Sequence, residues 1–219
     1  MFIGHFGLAF AAKRVAPSVS LGTLFLAAQL ADLVWPNLVL LGLEKVEVAP
    51  GITAVTPLDF VSYPYSHSLV ALALWAALFA GIHWLIHRRG GVVPWLLGAL
   101  VLSHWVLDAA SHRPDMPLLI GGGPLIGLGL WNSIPGTVVI ETALFLAGVA
   151  LYVRATRALD RTGAYALWGL VAFLLIISVA NLIGPPPPSS LAVAWVAQSI
   201  WLLVLWGYWI DRHRSAVLW

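Results

Sequence analysis

The stretch SHWVLDAASH, residues 103 to 112, sets His104, Asp108 and His112 four residues apart. On a helix these positions share one face, so His104 and Asp108 could bind one metal ion between them. Further ionisable or polar groups stand within or at the edge of apolar runs: His5, Asp32, His67 with Ser68 beside it, and Glu141. Burying a charge unpaired is costly, so such residues mark either a function or a structural pair. The chain has no cysteine, which excludes disulfides, iron–sulfur ligation and a thiol nucleophile. Any metal site must then use imidazole nitrogen and carboxylate oxygen.

The elements that must position these groups are membrane spans. Of 219 residues, 61% are hydrophobic and 9% charged, against about 25% charged in an ordinary soluble domain. Apolar runs at 20–43, 66–87, 92–109, 134–153, 164–184 and 190–210 approach or exceed the length needed to cross a bilayer as helix. The expected fold is all-α, a polytopic bundle of six long spans plus a short N-terminal helix within 3–14. It forms a single integral membrane domain over 1–219, with the candidate metal site in 1–115 and three spans in 116–219.

Basic groups cluster at Lys13 and Arg14, at Arg88 and Arg89, at Arg154, Arg157 and Arg161, and at Arg212 and Arg214. Alternate connections are thus basic, and the positive-inside rule places them, with the C-terminus, in the cytoplasm. The positive charges of the first segment follow its apolar run, the reverse of a secretory signal, so it reads as retained. A net charge of +2, with scattered Lys and Arg, argues against nucleic acid as a partner. The run GGGPLIGLG lacks the ending of a phosphate loop and reads as a surface or re-entrant loop. The four prolines 185–188 predict a stiff outer linker. Tryptophans such as Trp35, Trp95, Trp131 and Trp219 suit interfacial belts.

Depth then sorts the polar groups. Asp32 lies twelve residues after Ser20, and His104 twelve after Val92, on spans running the same way, so both rise about 18 Å from the basic end. His67 and Ser68 open a descending span near the same layer. Glu141 enters another descending span to about 9 Å below its outer end, and His5 falls in the outer half if the first helix descends toward Lys13. Each has a structural alternative: an ion pair for His104 and Asp108, a hydrogen bond to a neighbouring helix for Asp32, a helix cap for His67 and Ser68, an interfacial position for His5, and pairing with Arg113 or support of a ligand for Glu141. His112 and Asp115 read as a solvated rim, and His83 and His87 as snorkelling residues beside the basic boundary.

Four segments, GHFGLAF, AQLADLVWP, YPYSHSLVAL and SHWVLDAASHRPDMPL, are similar in order and spacing to the YdjM-like family of bacterial inner-membrane proteins, described as metal-dependent hydrolases. The resemblance covers roughly the first 120 residues and implies that His5, Asp32, His67, Ser68, His104 and Asp108 occupy the family's motif positions. Val34 and Trp35 stand where the family pattern has a further Asp and His, so a single metal, or none, is expected in place of a dinuclear centre. The resulting expectation is a plasma-membrane hydrolase with a divalent metal, zinc, held by His67, His104 and Asp108, with Asp32 or His5 completing the shell. Asp32 or Glu141 would act as general base, and Ser68 is a further catalytic candidate. The substrate would be a lipid-like ester, a phosphoester foremost, reached from the bilayer. Two other classes compete: a transporter using the same groups for proton or ion coupling, and a non-catalytic scaffold.

Overall fold

The computed structural model describes residues 1–88 and 91–217; Arg89 and Trp219, which enter the patterns above, lie outside the described residues. The expected all-α bundle is present. Five helices are long and apolar enough to cross a membrane, namely α5 (Leu69–His87), α6 (Val92–Ser111), α7 (Ile134–Ala155), α8 (Arg161–Ile183) and the pair α9 (Ser190–Ala197) with α10 (Ile200–Arg212). A sixth span forms if α2 (Leu21–Ala28) and α3 (Leu30–Leu40) are counted together. Their outward faces carry exposed Leu74, Val139, Ile176 and Leu205, as expected of helices whose surroundings are hydrocarbon.

Side-chain caps fix where the helices begin. Ser20, Ser68, Ser133, Asp160 and Ser189 each accept a hydrogen bond from a backbone N–H in the first turn of α2, α5, α7, α8 and α9, which satisfies donors that the helix itself cannot. The connections remote from the basic ends hold two small hairpins, β1 (Lys45–Val48) with β2 (Leu58–Ser62), and β3 (Met116–Pro117) with β4 (Leu125–Ile126). The GGGPLIGLG run, residues 121–129, ends the β3–β4 loop, includes β4 and continues toward α7. A short helix, α4 (Pro64–His67), leads into α5.

The first helix, α1 (Ile3–Ala12), departs from expectation in its surroundings. Its Ile3, His5, Phe6, Ala9 and Phe10 are buried, and it packs against α2, α6, α7 and α8. It is therefore a half-length helix inside the bundle. Of the last three spans, α7 and α8 pack against α1, while α9 packs against α3 and α10 against α2 and α8, so the two halves of the chain form one packed unit. Below His5, Phe6 and Phe10 meet Phe25 edge-on at 5.1 and 5.0 Å between ring centroids, and Phe10 meets Tyr152 at 5.2 Å.

At the basic end the core is closed by Lys13, whose Nζ donates to Asp211 Oδ2 and to the Val19 carbonyl, both at 2.7 Å. Asp211 also accepts from the Leu21 N–H and the Tyr152 hydroxyl. One satisfied carboxylate thus ties α1, α2, α7 and α10 together. Beside it, β5 (Thr156–Ala158) pairs with β6 (Arg214–Ala216).

Candidate metal centre

The second span is bent by 55° between α2 and α3. At this break the Ala28 carbonyl accepts from His104 Nδ1 at 2.8 Å. A carbonyl can only accept, so His104 carries its proton on Nδ1 and, when neutral, presents Nε2 as a bare lone pair. The same break starts a new helix whose first turn holds Asp32, where a carboxylate is favoured by the helix dipole.

His67 is oriented by a residue remote from the sequence motifs. Ser66 Oγ donates to Glu44 Oε2 at 2.6 Å and lies 2.7 Å from His67 Nδ1. Since the hydroxyl hydrogen is committed to Glu44, the Ser66 oxygen accepts from His67 Nδ1–H, and His67 Nε2 is also left bare. Glu44 is buried and its other oxygen accepts from the Tyr65 and Ser66 N–H groups, each at 2.8 Å. A buried carboxylate and hydroxyl that fix an imidazole tautomer in this way are the usual outer partners of a metal-binding histidine.

The two bare nitrogens face two carboxylates. His67 Nε2 lies 3.5 Å from Asp32 Oδ1 and 3.8 Å from Asp108 Oδ2; His104 Nε2 lies 3.7 Å from Asp32 Oδ1 and 3.1 Å from Asp108 Oδ2. His104 Nε2 is buried without a hydrogen-bond partner despite that proximity. With both imidazoles neutral, four lone-pair atoms converge, an arrangement that a cation makes favourable, either a proton on one imidazole or a metal ion. Tetrahedral donors bonded at about 2.0–2.2 Å to one ion lie roughly 3.3–3.6 Å apart; the observed spacings of 3.1 to 3.8 Å straddle that range, and Asp32, His67 and His104 form a group that could hold one metal ion.

His5 lies on the far side of this set. Its ring stacks on His104 at 3.8 Å between centroids, and its Nε2 is 3.1 Å from Asp108 Oδ1. The Met1 amino group pairs with the same Oδ1. Asp108 is therefore shared, Oδ1 being held by α1 and Oδ2 turned toward His67 and His104. His5, His104 and Asp108 form a second geometrically possible ligand group.

Other expected site residues fall elsewhere. Ser68 Oγ accepts from the Ala71 N–H, capping α5. Glu141 Oε2 accepts from the Phe2 N–H at 2.8 Å and the Gly4 N–H at 3.4 Å, so it anchors the start of α1. Its suggested partner Arg113 instead pairs with Asp59 and Asp115. The solvated reading of His112 and Asp115 is corrected: His112 is 3% exposed, packed between Phe60 and Trp131 at 4.8 and 4.3 Å between centroids.

His112 Nδ1 lies 3.0 Å from Asp115 Oδ1, which also accepts from the Tyr63 hydroxyl at 2.9 Å. Burial pushes the Tyr63 phenol well above its ordinary pKa, keeping it a donor. Burial also pushes His112 below the usual imidazole value, so the ring is neutral at pH 7 with Nδ1–H directed at Asp115. Its Nε2 is then able to accept a proton.

Asp32, His67, Asp108, His112 and Glu141 line one cavity of 520 Å³. Asp115 and Tyr63 line a separate hollow on the side of the hairpin loops. The His112–Asp115 pair therefore stands between the cavity and the outer surface.

Fold and site together define a multi-pass α-helical membrane protein whose buried His and Asp groups could hold a metal ion. No family model, curated protein or solved structure matches the chain.

Glu44 was not singled out by the sequence, because it sits among charged residues in a connection and reaches Ser66 only through the fold. Exchanging it for glutamine places an amide N–H₂ against one of its three donors. Glu44→Gln should weaken metal affinity roughly 10- to 100-fold, the usual effect of losing an outer partner of a metal-binding histidine, measured by chelator competition.

Proposed function

We propose that this protein is a membrane-embedded metal-dependent hydrolase acting on a lipid-like ester or phosphoester. The convergence of His67 and His104 Nε2 on Asp32 Oδ1 and Asp108 Oδ2, with both tautomers fixed from behind, is the observation that carries this reading. The similarity to the YdjM-like family points the same way. Two imidazoles and two carboxylates without thiolate suit zinc. When bound, such an ion supplies a water of lowered pKa and polarises the scissile carbonyl or phosphoryl oxygen.

The chain's own residues have distinct tasks. His67, His104 and Asp108 hold the ion, while His5 orients the Asp108 carboxylate. Asp32, the most accessible of the four ligands with its side chain 26% exposed, lies on the cavity side, and its displacement there would open the coordination position that water needs. His112, neutral and open at Nε2, takes up the proton, while Asp115 holds its Nδ1–H. Glu141 steadies α1 through the Phe2 and Gly4 amides. By the positive-inside rule the Lys13 and Arg212 ends lie in the cytoplasm of a bacterial plasma membrane. Ion-coupled transport would need a polar route past the cluster, and the aromatic packing of Phe6, Phe10, Phe25 and Tyr152 below it favours hydrolysis.

Elemental analysis of detergent-purified protein tests the centre. About one equivalent of divalent metal is expected in the wild type and none in the His67→Ala, His104→Ala double variant; stoichiometric metal in the double variant would sink the proposal. The base is tested by pH. Because burial lowers the His112 pKa, the neutral form persists into more acidic solution, and the acid limb of kcat/KM should fall below about pH 6.5. His112→Gln should lower kcat by roughly 10²- to 10⁴-fold, the usual worth of a positioned base. It should also remove that limb while leaving bound metal stoichiometric; an unchanged profile would assign the base elsewhere.

A further inference from the structure

The cavity beside the candidate centre discriminates between the two ester classes. Its buried end is acidic, lined by Asp32, Asp108 and Glu141 with the Met1 amino group already paired to Asp108, and among the described residues neither lysine nor arginine lines it. Arg113 is paired with Asp59 and Asp115, and Lys13 with Asp211 at the far end of α1. Phosphoryl transfer requires several cationic groups around the equatorial oxygens, and Arg, Lys or paired metal ions ordinarily supply them. One divalent ion facing two carboxylate ligands leaves little positive charge for a phosphate that is already anionic. A carboxylic ester enters uncharged and develops only one oxyanion.

The remainder of the cavity is largely apolar, with Thr137, Thr142, Ser178 and Asn181 among its polar lining, and reaches the membrane face. Val179 of α8 and Val196 of α9 line it, and both are also outwardly exposed, at 54% and 71%. Residues that face both the cavity and the hydrocarbon mark where the cavity opens sideways. Trp35, Phe60 and Trp131 form the wall toward the hairpin loops, where amphipathic rings suit the interfacial part of a bound lipid.

We propose that the site takes an uncharged carboxylic ester of a membrane amphiphile, its acyl chain lying between α8 and α9 and its carbonyl at Asp32 and Asp108. This rests on the hydrolase reading. Water adds to the carbonyl carbon, the acyl C–O bond breaks, and the products are a carboxylic acid and an alcohol. The water proton taken up at His112 is returned to the leaving alkoxide.

The test uses the full-length, zinc-loaded protein in detergent, with p-nitrophenyl octanoate and octyl p-nitrophenyl phosphate as matched probes. A second readout uses the metal-free protein, labelled with a diazirine-bearing octanoyl ester or the corresponding alkyl phosphate and mapped by peptide mass spectrometry. Octanoate hydrolysis that falls at least 100-fold in His104→Ala, no hydrolysis of the phosphodiester, and ester-probe labelling of α8 and α9 at least tenfold above the phosphate probe are expected. Phosphodiester cleavage without octanoate cleavage, or stronger labelling by the phosphate probe, would overturn the substrate class while leaving a hydrolase in place. Cleavage of neither substrate by protein containing stoichiometric zinc would overturn the hydrolase reading and this proposal with it.

Discussion

His104→Ala should cost more metal affinity than any other single change in the cluster, because His104 couples the bent second span to the ligand set. Its Nδ1 satisfies the Ala28 carbonyl at the break and its Nε2 faces both carboxylates. Alanine removes one ligand, leaves Ala28 O without its donor, and unstacks His5. Removing one partner from a buried charged set costs about 3–5 kcal/mol, equivalent to a loss of roughly two to three and a half decades in affinity. Hydrolytic activity should fall below detection in parallel. His104→Gln separates the two roles, because a glutamine amide can still donate toward Ala28 but offers no imidazole nitrogen. It should fold like the wild type in a thermal melt and still lose the metal. A glutamine variant with wild-type affinity, measured by competition against a chelator, would show that His104 is a structural hydrogen bond.

Much of this arrangement was legible in the sequence, and the legible parts share a cause. Apolar runs set the spans, because a helix inside hydrocarbon needs about 20 apolar residues wherever it occurs. The rise per residue then set depth, which brought Asp32, His67, His104 and Asp108 to one layer before any packing was known. What stayed hidden depends on contacts between elements. The break at Gln29 carries neither glycine nor proline, and its Ala28 carbonyl finds its partner on α6. Glu44 follows the second span in a charged segment, and only the placement of α4 turns it inward onto Ser66. His112 follows α6 in a loop that reads as wet, yet Phe60 from β2 and Trp131 from the segment before α7 cover it. Glu141 lies at the expected depth, but the α1 amides take it up, and those are reachable only because α1 is central.

The central position of α1 leads to the second large effect. Gly7 of α1 crosses Gly148 of α7 with no side chain between them. A Cβ on Gly148 would lie 2.6 Å from the Gly7 carbonyl carbon and 2.8 Å from its Cα, and one on Gly7 would lie 2.7 Å from the Leu144 carbonyl oxygen. These neighbours are backbone atoms and cannot rotate away, so either substitution must separate the two helices. Close helix contact through small residues is a main source of packing energy within a membrane. Gly148→Ala should therefore destabilise the protein by about 1–3 kcal/mol, seen as a lower thermal midpoint in detergent. The consequence should extend to the centre, because α1 also carries His5 and the Phe2 and Gly4 amides that engage Glu141. A shift of about 1 Å in a positioned group can cost roughly 10²-fold in rate, so activity should drop further than residual folding explains. Gly81→Ala is the control, since a Cβ there meets nothing within 4 Å, and it should leave both midpoint and activity unchanged. If Gly148→Ala behaved like Gly81→Ala, the α1–α7 crossing would not be what holds the half-length helix against the ligand set.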